Sequence, residues 1–462
     1  MSGAVGTSPL GRVTPDPLDR SPGEVDSENL TLLKHQLAYM YEASAFYRRK
    51  LDEAGAEVGD IATFEDFSRL PLTTKEDLRS SQRDAPPFGD YLAADIGEIV
   101  RIHSTSGTTG QPLWEALTVE DVDVIEVSSA TTLYTTGIRP DDIVLPALNY
   151  TLFMGGYTDS GCVERLGSKL VPLGIGASDV MLQVARTMSQ TGCEMAVFST
   201  PSYATYFANY VRSQGLEPAE LGITKGLFGG EYGASDPAFR QKLMEEWNFR
   251  IIGDVSGASE VHPLCVGSCP EAEGLHYTTP GSVLIELIDL DTREPVDIRA
   301  GARGELVYSH LRRRAQPLLR YAIKDIVEIL SAPGDRCACG RTTFRFRYAG
   351  RTDDMLVIRG VNVFPDAIFR ILLEMRPRTS GEFQMVLRDA PPFGDALPLT
   401  VELGEGQQET PELADELGRK LRAELIFTPE LSFVPYETLP RFEKKAKRVF
   451  HAYRGEQPPN ES

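Results

Sequence analysis

Long apolar runs are absent from this chain. Nowhere do about 18 consecutive apolar residues occur, so no segment reads as a helix crossing a bilayer. Positive charge is in deficit: 47 Lys and Arg stand against 67 Asp and Glu, for a formal charge of −20. That balance argues against general affinity for nucleic-acid backbones or anionic membranes, although local amides, cations and metal ions still permit ATP binding. Cysteine is sparse as well, six in 462 residues, which excludes a disulfide scaffold. The first 29 residues lack the basic start and apolar stretch of a signal peptide. Rich in Gly, Ser, Pro and Asp, residues 1–28 read as a flexible arm before a helical pattern beginning near Leu30, and a cytoplasmic enzyme is expected.

What is present points to a large α/β protein. With 41% hydrophobic residues over 462 positions, the chain exceeds a typical compact domain, so at least two domains are expected. Short apolar runs at 143–148, 195–199, 250–254 and 283–289 predict strands, and the patterns at 179–190 and 237–247 predict helices between them. Residues 304–308 and 326–330 form a more β-rich portion. The character changes at the polar turn 350–354. Beyond it come a strand at 355–358, a helix at 365–375, strands at 384–387 and 397–402, a helix at 411–424 and a basic tail. The expected organisation is a multi-subdomain N-terminal domain over 29–350 and a small mobile α+β domain over 351–462. An octapeptide, Arg-Asp-Ala-Pro-Pro-Phe-Gly-Asp, occurs at 83–90 and again at 388–395, both turn-like in composition, and has no functional account.

The segment His-Ser-Thr-Ser-Gly-Thr-Thr-Gly-Gln-Pro at 103–112 carries the chemistry most openly. Small hydroxyl residues and glycines let backbone amides approach a polyphosphate, and no Gly-Lys-Ser/Thr ending makes it a Walker loop. Five further segments follow in order: Gly229, Gly230 and Glu231; Asp254 to Glu260 in the pattern Asp-Val-Ser-Gly-Ala-Ser-Glu; Arg-Tyr-Ala-Ile-Lys-Asp ending at Asp325; the stretch 350–365; and Leu-Pro-Arg-Phe-Glu-Lys-Lys-Ala-Lys-Arg-Val at 439–449. Together with Pro-Leu-Thr-Thr-Lys-Glu-Asp-Leu at 71–78, Leu-Phe-Met-Gly-Gly at 152–156 and Ser-Thr-Pro-Ser-Tyr at 199–203, they make the chain resemble the adenylate-forming superfamily. Within it the resemblance is to the phenylacetate–coenzyme A ligase branch, over about residues 70–449. Two positions depart from the pattern: Leu113 stands where Lys or Thr is usual, and Ser256 where an aromatic residue stacks on adenine.

The resemblance implies ATP-dependent activation of a small, aromatic carboxylic acid as its acyl-adenylate, then transfer to coenzyme A. Thr105, Ser106, Thr108 and Thr109 would wrap the phosphates, and Glu260 would ligate Mg²⁺, which favours few carboxylates plus phosphate oxygens. Glu231, Tyr232, Asp254 and Ser259 would border the nucleotide, with Tyr232 able to stand in for the missing aromatic. Asp325 would hold the ribose hydroxyls, with Arg351 beside it. Lys445 is the catalytic lysine, with Lys444 and Lys447 as rivals in the same basic run, and Asp353 is the hinge. After the swing, Arg359, Gly360 and Asn362 would approach the thiol. Tyr150, Phe153, Met154, Tyr157, Tyr203 and Gly230 would line the acid pocket for an aryl, arylacetic, or amino- or hydroxy-substituted benzoic acid. Cys269, His276, Cys337 and Cys339 would hold structural Zn²⁺, as some branch members do, with Cys265 as a competing ligand. The branch also implies a homodimer. Two other readings stand beside this one: adenylation with transfer to an amine, carrier protein or small inorganic nucleophile, and a nucleotide-binding regulator without turnover.

Overall fold

The computed structural model describes residues 20–105, 112–231, 234, 237–352, 356–358, 361–363, 365–389, 396–425, 428–441 and 447–458. The chain enters through helix Pro22–Ala43, several residues before the expected start near Leu30. The reason is local: Ser21 accepts from the Glu24 amide, Glu24 reaches back to the Ser21 amide, and Pro22 takes the first helical position. The capping box makes residues 22–28 helical, although their composition reads as an arm.

Among the described residues the core is a twelve-stranded mixed sheet. Its parallel half runs through Lys169–Leu170, Ile143–Pro146, Met195–Ser199, Ile223–Gly229 and Ile251–Ala258. Crossover helices Met154–Leu166, Ser178–Met188, Pro201–Ser213 and Pro237–Trp247 connect these strands, the right length for parallel pairing. The strands are continuous apolar runs because both faces are covered. The other half is antiparallel, running from His262–Cys269 and Ala272–Tyr277 to Arg345–Arg351, Tyr321–Ser331, Arg303–His310 and Val283–Ile288. Residues 262–269 are a buried strand.

Strand Tyr321–Ser331 begins five residues before its predicted start at 326, because Tyr321 and Ala322 pair with Tyr308 and Val307, and Asp325 with Arg351, around the positive φ of Lys324. A hairpin of Ile99–Ser104 and Trp114–Thr118 stands off the main sheet, and Thr118 caps the next helix, Val119–Thr135.

The C-terminal part is an α+β unit. Strands Thr379–Leu387, Ala396–Leu403, Thr428–Val434 and Val449–His451 form a sheet, with helices Pro365–Glu374 and Pro411–Leu425 packed against it. Phe369 of this unit meets Phe239 of helix Pro237–Trp247, ring centres 5.8 Å apart. One apolar cluster runs across that contact. Of the repeated octapeptide, residues 83–90 close helix Lys75–Asp84 and the turn after it, and 390–395 lie outside the described residues.

Candidate active site

The parallel strands place their carboxyl ends along one edge, and the loops leaving that edge carry the predicted residues. Residues 149–157 follow Ile143–Pro146, Tyr203 follows Met195–Ser199, Gly230 and Glu231 follow Ile223–Gly229, and Ser259 and Glu260 follow Ile251–Ala258. Segments separated by up to a hundred residues thereby share one rim.

The phosphate loop leaves the hairpin there. Its neck is closed by a reciprocal pair: the Thr105 amide donates to the Leu113 carbonyl at 3.0 Å, and the Leu113 amide donates to Thr105 Oγ1 at 3.0 Å. Leu113 is buried in the core, so its departure from the usual Lys or Thr turns that position inward to packing. Ser106, Thr108 and Thr109 lie outside the described residues.

Glu260 is buried and held by two groups. Lys75 Nζ lies 2.6 Å from its Oε1, and the Tyr321 hydroxyl donates to the same oxygen at 3.2 Å. The carboxylate thus sits at a point where a cation is already stabilised, and carboxylate donors suit Mg²⁺. A second acid stands near it. Glu115, the cross-strand partner of His103, is buried with Oε1 unpartnered, and burial followed by the charge of Glu260 pushes its carboxyl well up. Sequence reading missed Lys75 and Glu115. Lys75 had a signal in the segment 71–78, whereas Glu115 had none, since a single Glu in a short strand reads as a solvated residue. Asp254 is buried, its amide donating to Ser268 Oγ at 2.8 Å. Ser259 lies in the turn joining Ile251–Ala258 to His262–Cys269.

At the ribose end, Asp325 and Arg351 are register partners on adjacent strands and form an ion pair. Arg351 also donates to the Ile323 carbonyl at 3.3 Å. Where Ser256 replaces the expected aromatic, Tyr348 arrives from the strand Arg345–Arg351, its hydroxyl donating to Ser256 Oγ at 2.8 Å. Tyr348, rather than a residue near 256 in sequence, puts an aromatic group at this spot. Tyr232 lies outside the described residues. Glu231 accepts the Ser202 amide at 3.2 Å.

The acid-pocket residues divide. Tyr150 is half-buried, with its hydroxyl 2.9 Å from Ser160 Oγ, and Phe153 is half-buried beside it. Tyr157 is 55% exposed and carries the Arg101 guanidinium 5.0 Å from its ring centre. Gly230 takes a positive φ of 80° after its strand, which suits a residue without a side chain. Met154 and Tyr203 correct the expectation. Met154 is fully buried against Leu117 and Ile125, and Tyr203 stacks on Phe207 inside the main core, so both pack in the interior. His103 is buried between the Leu152 carbonyl (3.1 Å) and Thr158 Oγ1 (3.0 Å), and burial lowers its pKa, so it is a neutral structural residue here.

Lys445 and its rival Lys444 lie outside the described residues, as do the hinge Asp353 and Arg359 with Gly360. Lys447 pairs with Glu456 at 3.0 Å.

Cys269, His276, Cys337 and Cys339 come together, their ligand atoms all within 4.8 Å of one another. Cys269 and Cys337 sulfurs are 3.8 Å apart, and Cys339 Sγ is 3.6 Å from His276 Nε2. A tetrahedral zinc with Zn–S bonds of about 2.3 Å has S–S edges of about 3.8 Å, so the donor set fits. Hydrogen bonding from Cys269 and then from His276 holds the Cys339 thiol low, favouring the thiolate that a metal takes. Cys269 and His276 sit on paired strands, and 337–339 belongs to a loop that brings Cys337 and Cys339 to them. Cys265 does not compete. It is buried beside the Ser256 carbonyl, and burial pushes its thiol up to about 12.

Comparison with known proteins bears on this arrangement. Residues 360–452 match the family described as AMP-binding enzyme C-terminal domain. A phenylacetate-coenzyme A ligase of Thermus thermophilus is 33% identical over 437 residues, covering 90% of this chain and 94% of the relative. The crystal structure of 2-hydroxyisobutyryl-CoA ligase in its postadenylation state superposes with a TM-score of 0.87 at 30% identity, over 97% of this chain and 96% of that one. The same ligase in its thioesterification state, with adenylate and CoA, matches with a TM-score of 0.70 at 30% identity, over 97% and 96% of the two chains. A large α/β domain with a C-terminal unit of this type defines an adenylate-forming enzyme. The chain belongs to the phenylacetate–coenzyme A ligase family of AMP-forming acid–thiol ligases.

Proposed function

We propose that this enzyme activates an aryl or arylacetic acid with ATP and passes the acyl group to coenzyme A, using the residues gathered at the strand edge. The observation supporting this reading is that residues of three separate motifs are held by specific partners: Thr105 by Leu113, Glu260 by Lys75, and Asp325 by Arg351.

In the first half-reaction an oxygen of the acid attacks the α-phosphorus and pyrophosphate leaves. Thr105, Ser106, Thr108 and Thr109 donate to the departing phosphates, and Lys445 bridges the acid carboxylate and the α-phosphate, neutralising charge as it accumulates. Glu260, oriented by Lys75 and Tyr321, would ligate Mg²⁺, which supplies further charge neutralisation on the phosphates when bound. Asp325, fixed by Arg351, accepts from the ribose hydroxyls. Glu231, Asp254 and Ser259 border the nucleotide, and Tyr348 offers the aromatic face absent at 256. Tyr150, Phe153, Tyr157 and Gly230 form the acid-pocket wall.

In the second half-reaction the thiol sulfur attacks the acyl carbon and AMP leaves. The small domain rotates about Asp353 between the two steps, carrying Lys445 away. The higher similarity to the postadenylation state (0.87 against 0.70) supports the adenylating posture for the present arrangement. Zn²⁺ at Cys269, His276, Cys337 and Cys339 is structural, tying the 337–339 loop to the sheet, and the protein is a homodimer.

Pyrophosphate release from Mg·ATP, measured over substituted benzoic and phenylacetic acids with and without coenzyme A, tests the reading. Thioester formation with an aromatic acid supports it. Turnover confined to aliphatic acids would overturn the substrate class.

A further inference from the structure

One carboxylate at the acid pocket has no part in the adenylation chemistry. Asp159 is 4% exposed, in the broken start of helix Met154–Leu166, and its buried Oδ1 has no hydrogen-bond partner. Its Oδ2 accepts the Gly156 amide at 3.2 Å. That bond closes the kink made by Gly155 and Gly156, where the backbone leaves helical values, and it uses one oxygen only. Among the described residues no cation offsets the other: burial pushes the carboxyl up to about 7, opposed only by the Gly156 amide. A polar oxygen kept in the interior without a partner is costly, and native proteins seldom leave one there without a use.

Its surroundings supply a use. The Gly155–Gly156 turn belongs to the same 149–157 segment that forms the acid-pocket wall, with Tyr150, Phe153 and Tyr157 on it. A Cβ added at Gly155 would lie 3.6 Å from Asp159 Oδ2, the oxygen that accepts the Gly156 amide, so the carboxylate sits directly against this turn. Tyr150 and Ser160 join hydroxyls at 2.9 Å next to it, and Ser160 donates on to the Gly156 carbonyl at 2.7 Å. The segment with the aromatic residues therefore also carries a polar cluster of Tyr150, Ser160 and Asp159.

We propose that Asp159 is a specificity residue, and that the acid this enzyme activates carries a hydrogen-bond donor, an amino or hydroxyl substituent remote from its carboxyl, which pairs with the unpartnered Asp159 oxygen. The proposal rests on the ligase reading and narrows its substrate. A plain aromatic acid leaves that oxygen unpaired in the complex as well, and a site built for a donor discriminates strongly against the analogue lacking it.

The test is kcat/KM for thioester formation with matched pairs: benzoic and phenylacetic acids bearing an amino or hydroxyl group, against the same acids with methyl in its place. The wild-type enzyme prefers the donor-bearing member by about 10²-fold or more. Asp159→Ala abolishes the preference by slowing the donor-bearing acids. Asp159→Asn keeps an oxygen for the Gly156 amide, which guards against a folding failure, and turns N–H groups to the pocket, so the preference falls at least about tenfold. Thermal unfolding and Mg·ATP binding are measured for each variant. Equal kcat/KM within the pairs for wild type, or an undiminished preference in either folded variant, overturns the proposal. If no acid drives pyrophosphate release from the wild-type enzyme, the ligase reading itself falls and takes this one with it. Turnover of the methyl members alone overturns only the donor.

Discussion

At the residue scale, the site is a set of charges placed where each has a counter-charge or lacks one. Glu260 has Lys75, Asp325 has Arg351, and Asp159 has none among the described residues. The difference is measurable in stability. Asp159 rises to about 7 from the usual aspartate value of 3.8, so between those pH values the folded state keeps a proton that the unfolded chain has lost. Its contribution is present at low pH and is lost as pH rises toward 7, at about 1.4 kcal/mol per pH unit. Asp159→Asn removes that titration. Urea unfolding near pH 5 and near pH 8 should show the stability difference moving in favour of the variant at the higher value, and a pH-independent difference would contradict the assignment. Lys445 is tested by separating the half-reactions. Lys445→Ala lowers pyrophosphate release by about 10²–10³-fold, in the range for loss of one charge-stabilising group. Thioester formation from a supplied acyl-adenylate stays near the wild-type rate. Equal loss in both halves would point to Lys444 or to a folding defect.

At the element scale, two staples hold the frame. Lys225, in Ile223–Gly229, reaches under the sheet to Asp142 just before Ile143–Pro146, at 2.6 Å with both side chains buried. Removing one partner leaves an uncompensated buried charge, so Lys225→Met should cost about 3–5 kcal/mol in chemical denaturation, and a loss under about 1 kcal/mol would mean that water reaches the pair. The second staple is the cysteine–histidine set. Metal analysis of protein purified without added metal should find about one zinc per chain. Chelation, or Cys337→Ser, should lower the thermal midpoint while leaving the pyrophosphate-release KM for ATP unchanged, because no ligand touches the nucleotide residues. A metal-free preparation with the same midpoint would remove the staple.

At the scale of the whole molecule, the two domains meet through the Phe239–Phe369 contact and a shared apolar cluster, in the arrangement that matches the postadenylation state of a related ligase. Under the proposed rotation about Asp353, backbone freedom at that residue matters to the thioester-forming half of the cycle. Asp353→Pro should preserve adenylate formation to within a few-fold and abolish coenzyme A-dependent turnover, since proline locks φ at the hinge. Single-turnover formation of the acyl-adenylate, followed by its consumption on adding coenzyme A, reads the two steps separately. Unimpaired thioester release in Asp353→Pro would move the hinge elsewhere.

What the residues alone determine is local. The periodic apolar runs at 195–199 and 237–247 match the observed Met195–Ser199 and Pro237–Trp247, because burial on a fixed period leaves little choice of structure. The order of the motifs and the meeting of the Cys/His set were legible for a similar reason, since each rests on short runs of chemically distinctive residues. Helix Pro22–Ala43 was misread because a capping box outweighed a composition typical of an arm. Only tertiary structure decided which distant groups meet. Nothing near Glu260 in the chain announces Lys75, and nothing near Ser256 announces Tyr348. Met154 and Tyr203 have the composition of a pocket wall but are buried in the interior. Whether an aromatic residue faces a cavity or a core, and whether a carboxylate finds a cation, depends on which segments the sheet order lays side by side. That order follows from strand pairing across long separations in the chain, which local pattern does not encode.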